Sequence, residues 1–422
     1  MERGYHKEQG LTMAEVGLSL EDLRGDPLEL LAREGAKMLL RVALEEEVTN
    51  FLGRSRYGRC EGEAQGYRNG HRARSVTVGS GQIEVEVPRV SQAAEAYRSQ
   101  LIEAWQRKSR AVEEVIPLLY VEGLSTRDFR RALKPLWGER GLSRSSVSRS
   151  NQVLKESFHA WRQRDLAEED IVYLFLDGIY FGVRGNTREK EAVLVVQGIR
   201  RHGERVLLHL SLGGRESTEA WKAVLHDLAD RGLRPPQLLT SDGNAGLLRA
   251  IKEVWPEVAH QRCVVHRTWN VLARVPKRRQ AEVKRALHRI FYAPCLEEAK
   301  EQAGQFVLRY GEEFPTATEV LVSHLEGCLT FYRFPKRHWK KIRSSNVLER
   351  SFKEVRRRTR VVGRFPTENS ALMMIFGVLE EERLRWQKAR MRPQDITWID
   401  EAAKSLKEEP ITLEFPELVL TA

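Results

Sequence analysis

The sequence contains few cysteines and no long apolar segment. Its four cysteines lie at positions 60, 263, 295 and 328 of 422 residues, too sparse for a disulfide framework, so we expect them to be reduced. The longest apolar run has six residues, Ile171 to Leu176, far below the roughly 18 residues of a membrane-spanning helix. The first residues show no apolar stretch behind a basic leader, which argues against a secretory signal. We therefore expect a soluble, cytoplasmic protein.

Internal repeats and low-complexity tracts are also absent, and the length predicts roughly two to four domains. Seventy Lys and Arg against 59 Asp and Glu give a net charge of +11, which favours a polyanion such as nucleic acid as partner. The excess is local. Residues 336–364 carry twelve Lys and Arg against two glutamates, whereas residues 365–422 carry seven against eleven acidic residues. The polyanion is therefore expected near residues 336–364.

Residues 1–60 are predicted to be a helical segment for packing or dimerisation, and residues 61–165 a DNA-binding region. Within the first segment, Leu31, Met38, Val42 and Phe51 recur at helix-like spacing. In the second, the strict alternation of apolar and polar residues from Gln82 to Val87 follows a Gly-Ser-Gly turn and precedes Pro88. This pattern predicts a β-hairpin with one buried face that ends at the proline.

Two further helices are predicted around a glycine-bearing turn. The first begins at the capping-box pattern of Ser125 to Asp128 and continues to Leu136, and the second opens at Ser143. Such a pair is typical of a helix-turn-helix, whose second helix enters the DNA major groove. The candidate DNA contacts on that helix are Arg144, Ser146 and Arg149. The alternative is an ordinary helical hairpin whose Ser and Arg face is merely solvated, and Pro135 inside the first helix weakens the helix-turn-helix prediction.

The central region, residues 168–266, alternates strands and helices. Three short-linked strands predict an antiparallel meander, and two later strands return through helices and can therefore lie parallel to the first. Residues 267–335 are helix-forming throughout, residues 336–390 supply further helices, and residues 391–422 form an acidic tail. The predicted strands are 171–183, 191–199, 206–212, 237–241 and 260–265, and the helices between them are 218–233 and 244–255.

Two of these strands lead into a carboxylate. Asp177 follows the apolar run Ile171 to Leu176 directly, and Asp242 follows the strand 237–241. Each could be a turn residue, since each precedes a glycine. If the two strands are parallel neighbours, however, both carboxylates lie at the sheet edge where ligands bind in open α/β sheets. Their equivalent positions favour one shared site.

A third carboxylate, Glu349, lies within the basic segment. Leu348, Phe352 and Val355 predict an apolar helical stripe, and Glu349 borders it together with Lys353 and Arg356. The spacing of Asn346 and Glu349 also fits a capping box, which is a purely structural alternative. Three carboxylates suit two Mg²⁺ or Mn²⁺ ions about 4 Å apart, which support in-line displacement at phosphorus. The basic side chains expected to grip DNA phosphates are Lys340, Lys341, Arg343, Lys353, Arg356, Arg357, Arg358 and Arg360.

In combination, these motifs resemble those of bacterial insertion-sequence transposases of the IS256 (Mutator-like) family. The resemblance rests on LFLDG, TSDGN, the C-x-x-H of Cys263 and His266, and SSNVLERSFKEVRRRTRVVGRFP, and it also covers the amino-terminal hairpin and GLSTRDF. It implies a ribonuclease H-like mixed sheet interrupted by an all-helical insertion. It further implies an Asp177–Asp242–Glu349 triad, double-stranded DNA (transposon ends and target) as partner, at least a homodimer, and cytoplasmic, nucleoid-associated localisation.

The motif residues Cys263 and His266 are half of a zinc site, but no completing pair is recognisable. A structural role or the placement of DNA near the metals is expected instead. Trp269 and Trp339 lie among basic residues and could stack on an unpaired base, with Trp339 preferred. Two functional alternatives stay open: a metal-dependent nuclease without strand transfer, and a non-catalytic helix-turn-helix regulator.

Overall fold

The computed structural model describes residues 26–58, 66–103, 106–121, 133–134, 144–181, 191–213, 216–360, 365, 367–385, 391–408 and 411–413. The chain divides into two compact units, Met1–Val153 and Leu154–Ala422. The division falls within a helix, whereas composition places it near residues 165–168. In the described part of the chain, Cys263, Cys295 and Cys328 are free thiols, as expected.

The first unit contains a long helix and a β-hairpin. Helix α1 (Pro27–Leu52) is capped by the Asp26 carboxylate, which accepts a hydrogen bond from the Glu29 N–H, and it ends at a left-handed Gly53. Strands β1 (Tyr67–Val78) and β2 (Gly81–Ser91) pair antiparallel, with Ile83 and Val85 buried as the alternation predicts. The expected end at Pro88 is wrong. The strand continues to Ser91, because Pro88 pairs with His71 where the register shifts.

Helix α1 has apolar side chains on two faces. Leu44 packs against Val76, Ile83 and Val85 of the hairpin. Of the residues predicted to lie on a packing or dimerising helix, Leu31 and Val42 do not pack on the hairpin and are 48% and 58% exposed. They belong instead to an outer apolar stripe of four exposed residues, which spans about 80° of the helix at 100° per residue. The members of this stripe are Leu28, Leu31, Leu39 and Val42.

The predicted helix-turn-helix is described only in part. Most of its first helix, 125–136, lies outside the described residues, with 133–134 helical. Helix α2 (Arg110–Val121) precedes it, and α3 (Arg144–Gln163) begins where the second helix is predicted. The side chains of residues 144–151 are outside the description, so DNA contacts by Arg144, Ser146 and Arg149 stay a prediction.

The second unit is built on a five-stranded mixed sheet in the order β5-β4-β3-β6-β7. The first three strands form the predicted antiparallel meander, while β6 runs parallel to β3, and β7 parallel to β6. The strand predicted at 260–265 is too long, because Cys263 is the N-cap of the next helix. The strands are β3 (Ile171–Phe181), β4 (Glu191–Arg200), β5 (Arg205–Leu212), β6 (Leu238–Ser241) and β7 (Ala259–Arg262).

Two crossover helices, α4 (Thr218–Asp230) and α5 (Ala245–Val254), cover one face of the sheet. Trp221 and Leu225 of α4 and Leu247 of α5 are fully buried in one cluster with Leu174 and Leu176 of β3. Fully burying side chains of this size contributes roughly 1.5–3 kcal/mol each. The part of β3 that precedes Asp177 is thus packed tightly against these helices.

The insertion after β7 is helical, as predicted, throughout its described length. It consists of α6 (Val264–Leu272), α7 (Lys277–Phe291), α8 (Leu296–Tyr310), α9 (Pro315–Val322) and α10 (Leu325–Leu329), followed by 3₁₀ turns at Thr330–Arg333 and Lys336–His338. The chain then returns through α11 (Trp339–Ile342), α12 (Asn346–Thr359), α13 (Glu368–Arg385) and α14 (Pro393–Glu408). No helix of the described ranges is long and apolar enough to cross a membrane.

Candidate active site

Asp177 lies in β3 at the end of its buried run. The Asp177 carboxylate accepts a hydrogen bond of 2.8 Å from the backbone N–H of Gly178. Burial raises the pKa of Asp177 to about 7; the charge on His266 opposes this shift, and the charges on Asp242 and Glu216 add to it. An anionic Asp177 is therefore costly in this environment unless a cation lies nearby.

Asp242 follows β6, the parallel neighbour of β3. Its carboxylate accepts a hydrogen bond of 2.9 Å from the Asn244 N–H, and Asn244 in turn caps α5. Between them, Gly243 has φ +81°, and a Cβ there would overlap the guanidinium of Arg262. Only glycine fits this turn. Because β3 and β6 are parallel, with Phe175 paired with Thr240, Asp177 within β3 lies level with Asp242 at the carboxyl end of β6.

Three hydrogen bonds attach the segment before α12 to that edge. The Thr240 hydroxyl donates to the carbonyl of Ile342 at 2.9 Å. The Val264 N–H donates to the carbonyl of Arg343 at 3.0 Å, and the Ser345 N–H donates to the Cys263 thiol sulfur at 3.3 Å. The start of α12 is thereby fixed beside the ends of β6 and β7. This attachment brings Glu349, in the first turn of α12, into the neighbourhood of the two aspartates.

His266 lies between the aspartates and Glu349. Its Nδ1 is 3.8 Å from Glu349 Oε1, and the Ser345 hydroxyl is 3.4 Å from each of these two atoms. Burial lowers the pKa of His266, but Cys263, Asp177 and Glu349 together raise it to about 9. The C-x-x-H motif therefore has a structural explanation: Cys263 holds the segment that leads to Glu349, and His266 interacts with both sides of the site.

The three predicted carboxylates share an edge but do not form one tight set of ligands. Among the described residues, the set with ligand atoms all within 4.8 Å of one another is Cys263, His266 and Glu349. Asp177 instead interacts mainly with His266, Asp242 and Glu216. The site therefore consists of an aspartate side and a glutamate side, with His266 between them.

Sequence reasoning missed Glu216 and Tyr180. Glu216 precedes Ser217, the N-cap of α4, and Tyr180 follows Asp177 by three positions along β3. Only the order of the strands could have indicated Glu216. It lies between the third strand of the meander and α4, the helix that connects this strand to β6. Without the fold, a Glu-Ser-Thr sequence at a helix start indicates capping only.

The basic residues of α12 divide into exposed and buried groups. Lys353, Arg356, Arg357 and Arg360 are exposed, which suits contacts with phosphates. Arg358 is not available for such contacts, so its predicted DNA-binding role is wrong: it is 2% exposed and pairs with Glu381 of α13. The reason is its place on the apolar stripe, three residues beyond Val355.

The basic residues before α12 also differ in exposure. Lys340 is exposed, Lys341 is partly buried, and the guanidinium of Arg343 lies 3.6 Å from the centroid of the Tyr292 ring. Asn346 is exposed in the first turn of α12, and the N-cap residue is Ser345, so the structural alternative of an Asn346 capping box does not apply.

The two tryptophan candidates are placed opposite to expectation. Trp339 packs edge-on against Phe331 and Tyr332, and its indole N–H donates to the carbonyl of Phe334 at 2.7 Å. Trp269 is 53% exposed and lies edge-on to His266 with ring centroids 5.2 Å apart. Trp269, and not Trp339, therefore presents an aromatic surface beside the site.

The fold and this acidic edge define a mixed α/β protein with a clustered carboxylate site. The family model described as "Transposase, Mutator family" matches residues 14–389, and the chain belongs to this family. It is 36% identical over 358 residues to the transposase for insertion sequence element ISRM5 of Rhizobium meliloti (strain 1021), covering 85% of this chain and 89% of that protein.

Two further relatives are similar over comparable lengths. The transposase for insertion sequence element IS1081 of Mycobacterium tuberculosis is 32% identical, over 86% of this chain and 90% of that protein. The transposase for insertion sequence element IS256 in transposon Tn4001 of Staphylococcus aureus is 29% identical, over 81% and 87%. The family predicted from the sequence motifs is confirmed.

Proposed function

We propose that this protein is a DNA transposase with a ribonuclease H-like core, which binds the terminal inverted repeats of its element and catalyses DNA cleavage and strand transfer. The observation that carries the proposal is the common edge of Asp177 and Asp242, to which hydrogen bonds attach the helix of Glu349. These three residues form the proposed acidic triad.

The donor set fits two Mg²⁺ or Mn²⁺ ions, which prefer oxygen ligands. Asp177 and Asp242 are like charges in a partly buried site, and a divalent cation would offset their repulsion. Asp177, Asp242 and Glu349 would hold the ions. When bound, the metals supply activation of an attacking hydroxyl and stabilisation of a leaving oxygen at phosphorus.

The other residues of the site would position DNA. Lys353, Arg356, Arg357 and Arg360 are exposed on the helix of Glu349 and would bind phosphates on either side of the scissile one. His266, whose pKa is raised to about 9, would add positive charge between the two sides of the site. Contacts by α3 with the major groove, through Arg144, Ser146 and Arg149, remain part of the proposal.

We also propose that the active form is at least a homodimer, because two transposon ends must be joined in one complex. The outer apolar stripe of α1 supports self-association, since it lies opposite the face that packs on the hairpin. A parallel or antiparallel pair of α1 helices would bury it.

The test is cleavage and joining of a DNA duplex that carries the element's end, in Mg²⁺, by Asp177→Asn and Asp242→Asn variants. Asp230→Asn is the matched control, because Asp230 is exposed at the end of α4. We expect both site variants to lose at least about 10³-fold in rate while retaining DNA binding, and the control to react normally. Activity that persists in a folded Asp177→Asn variant would contradict the proposed mechanism.

The same assay separates the two alternatives. A precleaved end with a free 3′-hydroxyl is joined to target DNA by a transposase, but not by a nuclease without strand transfer. A non-catalytic regulator would bind the end and neither cleave nor join it in any divalent metal.

A further inference from the structure

The structure contains a fourth carboxylate at the candidate site, which belongs to neither the predicted triad nor any helix cap. Glu216 lies after β5 and immediately before Ser217, whose hydroxyl caps α4 by accepting from the Ala220 N–H at 3.1 Å. Because Ser217 performs the capping, the Glu216 carboxylate is free of that task. It is directed instead towards β3.

The position of Glu216 is defined by Gly178, the residue after Asp177. A Cβ on Gly178 would overlap Glu216 Oε1 and lie 2.7 Å from Glu216 Cδ. The carboxylate thus occupies the space in which every other residue type would have its side chain. Tyr180, two residues further along β3, hydrogen-bonds the same carboxylate. The Glu216 carboxylate is therefore held in position by two residues of β3, the strand that also carries Asp177.

The backbone around Glu216 is fixed as well. A Cβ on Gly246, in the first turn of α5, would lie 3.1 Å from the Glu216 carbonyl oxygen and 2.9 Å from the Thr218 N. The starts of α4 and α5 are consequently in close contact. Since α5 also follows Asp242, the same packing sets Glu216 relative to Asp242.

Neighbouring charges make this arrangement unfavourable for a purely structural carboxylate. Burial, followed by the charge of Asp242, raises the pKa of Glu216, and its hydrogen bond with Tyr180 only partly offsets this. The positive charge of His266 acts in the opposite direction and lowers the pKa of Glu216. Asp177, Asp242 and Glu216 thus influence one another on the aspartate side of the site, although their ligand atoms do not all lie within 4.8 Å of one another.

We propose that Glu216 is a fourth carboxylate of the divalent-metal site, held against Gly178 and Tyr180 so that it binds the ion on the aspartate side, directly or through a metal-bound water. This inference rests on the proposed function, because it concerns the same metal site. It explains why the Glu216 carboxylate packs against the residue next to Asp177, while the neighbouring Ser217 caps α4.

The experiment measures Mn²⁺ binding to the full-length protein by calorimetry and by the loss of the free Mn²⁺ signal in electron paramagnetic resonance. The variants are Glu216→Gln and, as matched control, Glu219→Gln, which removes the same charge from an exposed position in the first turn of α4. We expect Glu216→Gln to weaken Mn²⁺ binding about tenfold or more and Glu219→Gln to bind like the wild type.

Thermal unfolding provides a readout that does not require activity. Without metal, Glu216→Gln is expected to melt at a higher temperature than the wild type, because it removes a repelling charge. With Mn²⁺, its melting temperature is expected to rise less than that of the wild type. A structural role confined to Tyr180 and α4 predicts instead a lower melting temperature without metal and an unchanged metal-induced rise.

Gly178→Ala provides a second perturbation that retains all four carboxylates. The added methyl group must displace the Glu216 carboxylate, so Mn²⁺ binding is expected to weaken in the same direction. If Glu216→Gln binds Mn²⁺ like Glu219→Gln, the inference is overturned while the triad stands. If Asp177→Asn also leaves Mn²⁺ binding unchanged, the proposed function itself is contradicted.

Discussion

Replacing Arg358 by methionine distinguishes a buried structural cation from a DNA-binding one. Arg358 lies in the run Arg356-Arg357-Arg358, and its side chain is 1% exposed and pairs with Glu381 of α13. Its guanidinium also lies 4.0 Å from Glu382 and 3.9 Å from Glu354. Arg356, two residues earlier, is exposed and is the matched control for the same substitution.

The expected cost follows from the acidic groups left behind. Removing one partner of a buried ion pair costs about 3–5 kcal/mol. The Glu381 and Glu382 side chains retain 19% and 15% exposure, so water screens part of the unpaired charge and the lower end, about 3 kcal/mol, is expected. Arg358→Met combined with Glu381→Gln removes one unpaired charge and is expected to recover part of this loss.

Two measurements test the prediction. Hydrogen exchange of the α12 and α13 amides reports the local free energy of opening without assuming two-state unfolding of the whole chain. The dependence of DNA affinity on salt reports phosphate contacts, since each lost contact lowers the slope of log K against log salt by about 0.9. We expect Arg358→Met to lose amide protection with an unchanged salt slope, and Arg356→Met to do the reverse. Unchanged protection with a reduced slope for Arg358→Met would refute the reasoning.

Two further predictions concern the aromatic and apolar surfaces. Trp269→Ala is expected to weaken binding to a DNA end with unpaired bases by about 1–3 kcal/mol without lowering the melting temperature. Trp339→Ala, in contrast, is expected to lower the melting temperature. If both variants changed the melting temperature equally, the assignment of Trp269 as the stacking residue would be contradicted. The double variant Leu39→Glu, Val42→Glu is expected to be a monomer in sedimentation experiments, because both residues lie on the outer apolar stripe of the proposed dimer interface. If the variant sediments with the same molecular mass as the wild-type dimer, this stripe is not the interface.

Much of the second unit could be predicted from the sequence because its signals are local. The apolar run before Asp177, the turn at His202 and Gly203 and the amphipathic helices α4 and α5 each indicate their own structure. A helical connection permits the parallel pairing of β3 and β6, but only the fold shows that these two strands are neighbours. Boundaries are less predictable: Cys263 to Val265 has strand composition, yet the strand ends at Arg262 and Cys263 is the N-cap residue of α6.

The residues whose surroundings could not be predicted are those whose environment depends on distant segments. The outer stripe of α1 and its packed face are both apolar, so Leu31 and Val42 could not be distinguished from Leu44 before the hairpin was placed. Arg358 and Arg356 are equally basic, and only α13 distinguishes them. Glu216 is 39 residues from Asp177 in sequence, and only the contact with Gly178 reveals their proximity.

The distribution of charge within the site favours a functional over a structural explanation of its carboxylates. Asp177 and Glu216 both have raised pKa values because they are buried near Asp242. Groups whose pKa is raised on folding lower the stability of the protein at pH values above their ordinary pKa, where the unfolded chain would carry the charge freely. Arg358 shows that this fold can pair a buried charge closely with its counter-ion when only stability is at stake. At the sheet edge, His266 and Arg262 are the basic residues of the described chain that interact with the aspartate side, so three carboxylates there face two positive groups. A divalent cation is the partner that such an imbalance is suited to receive.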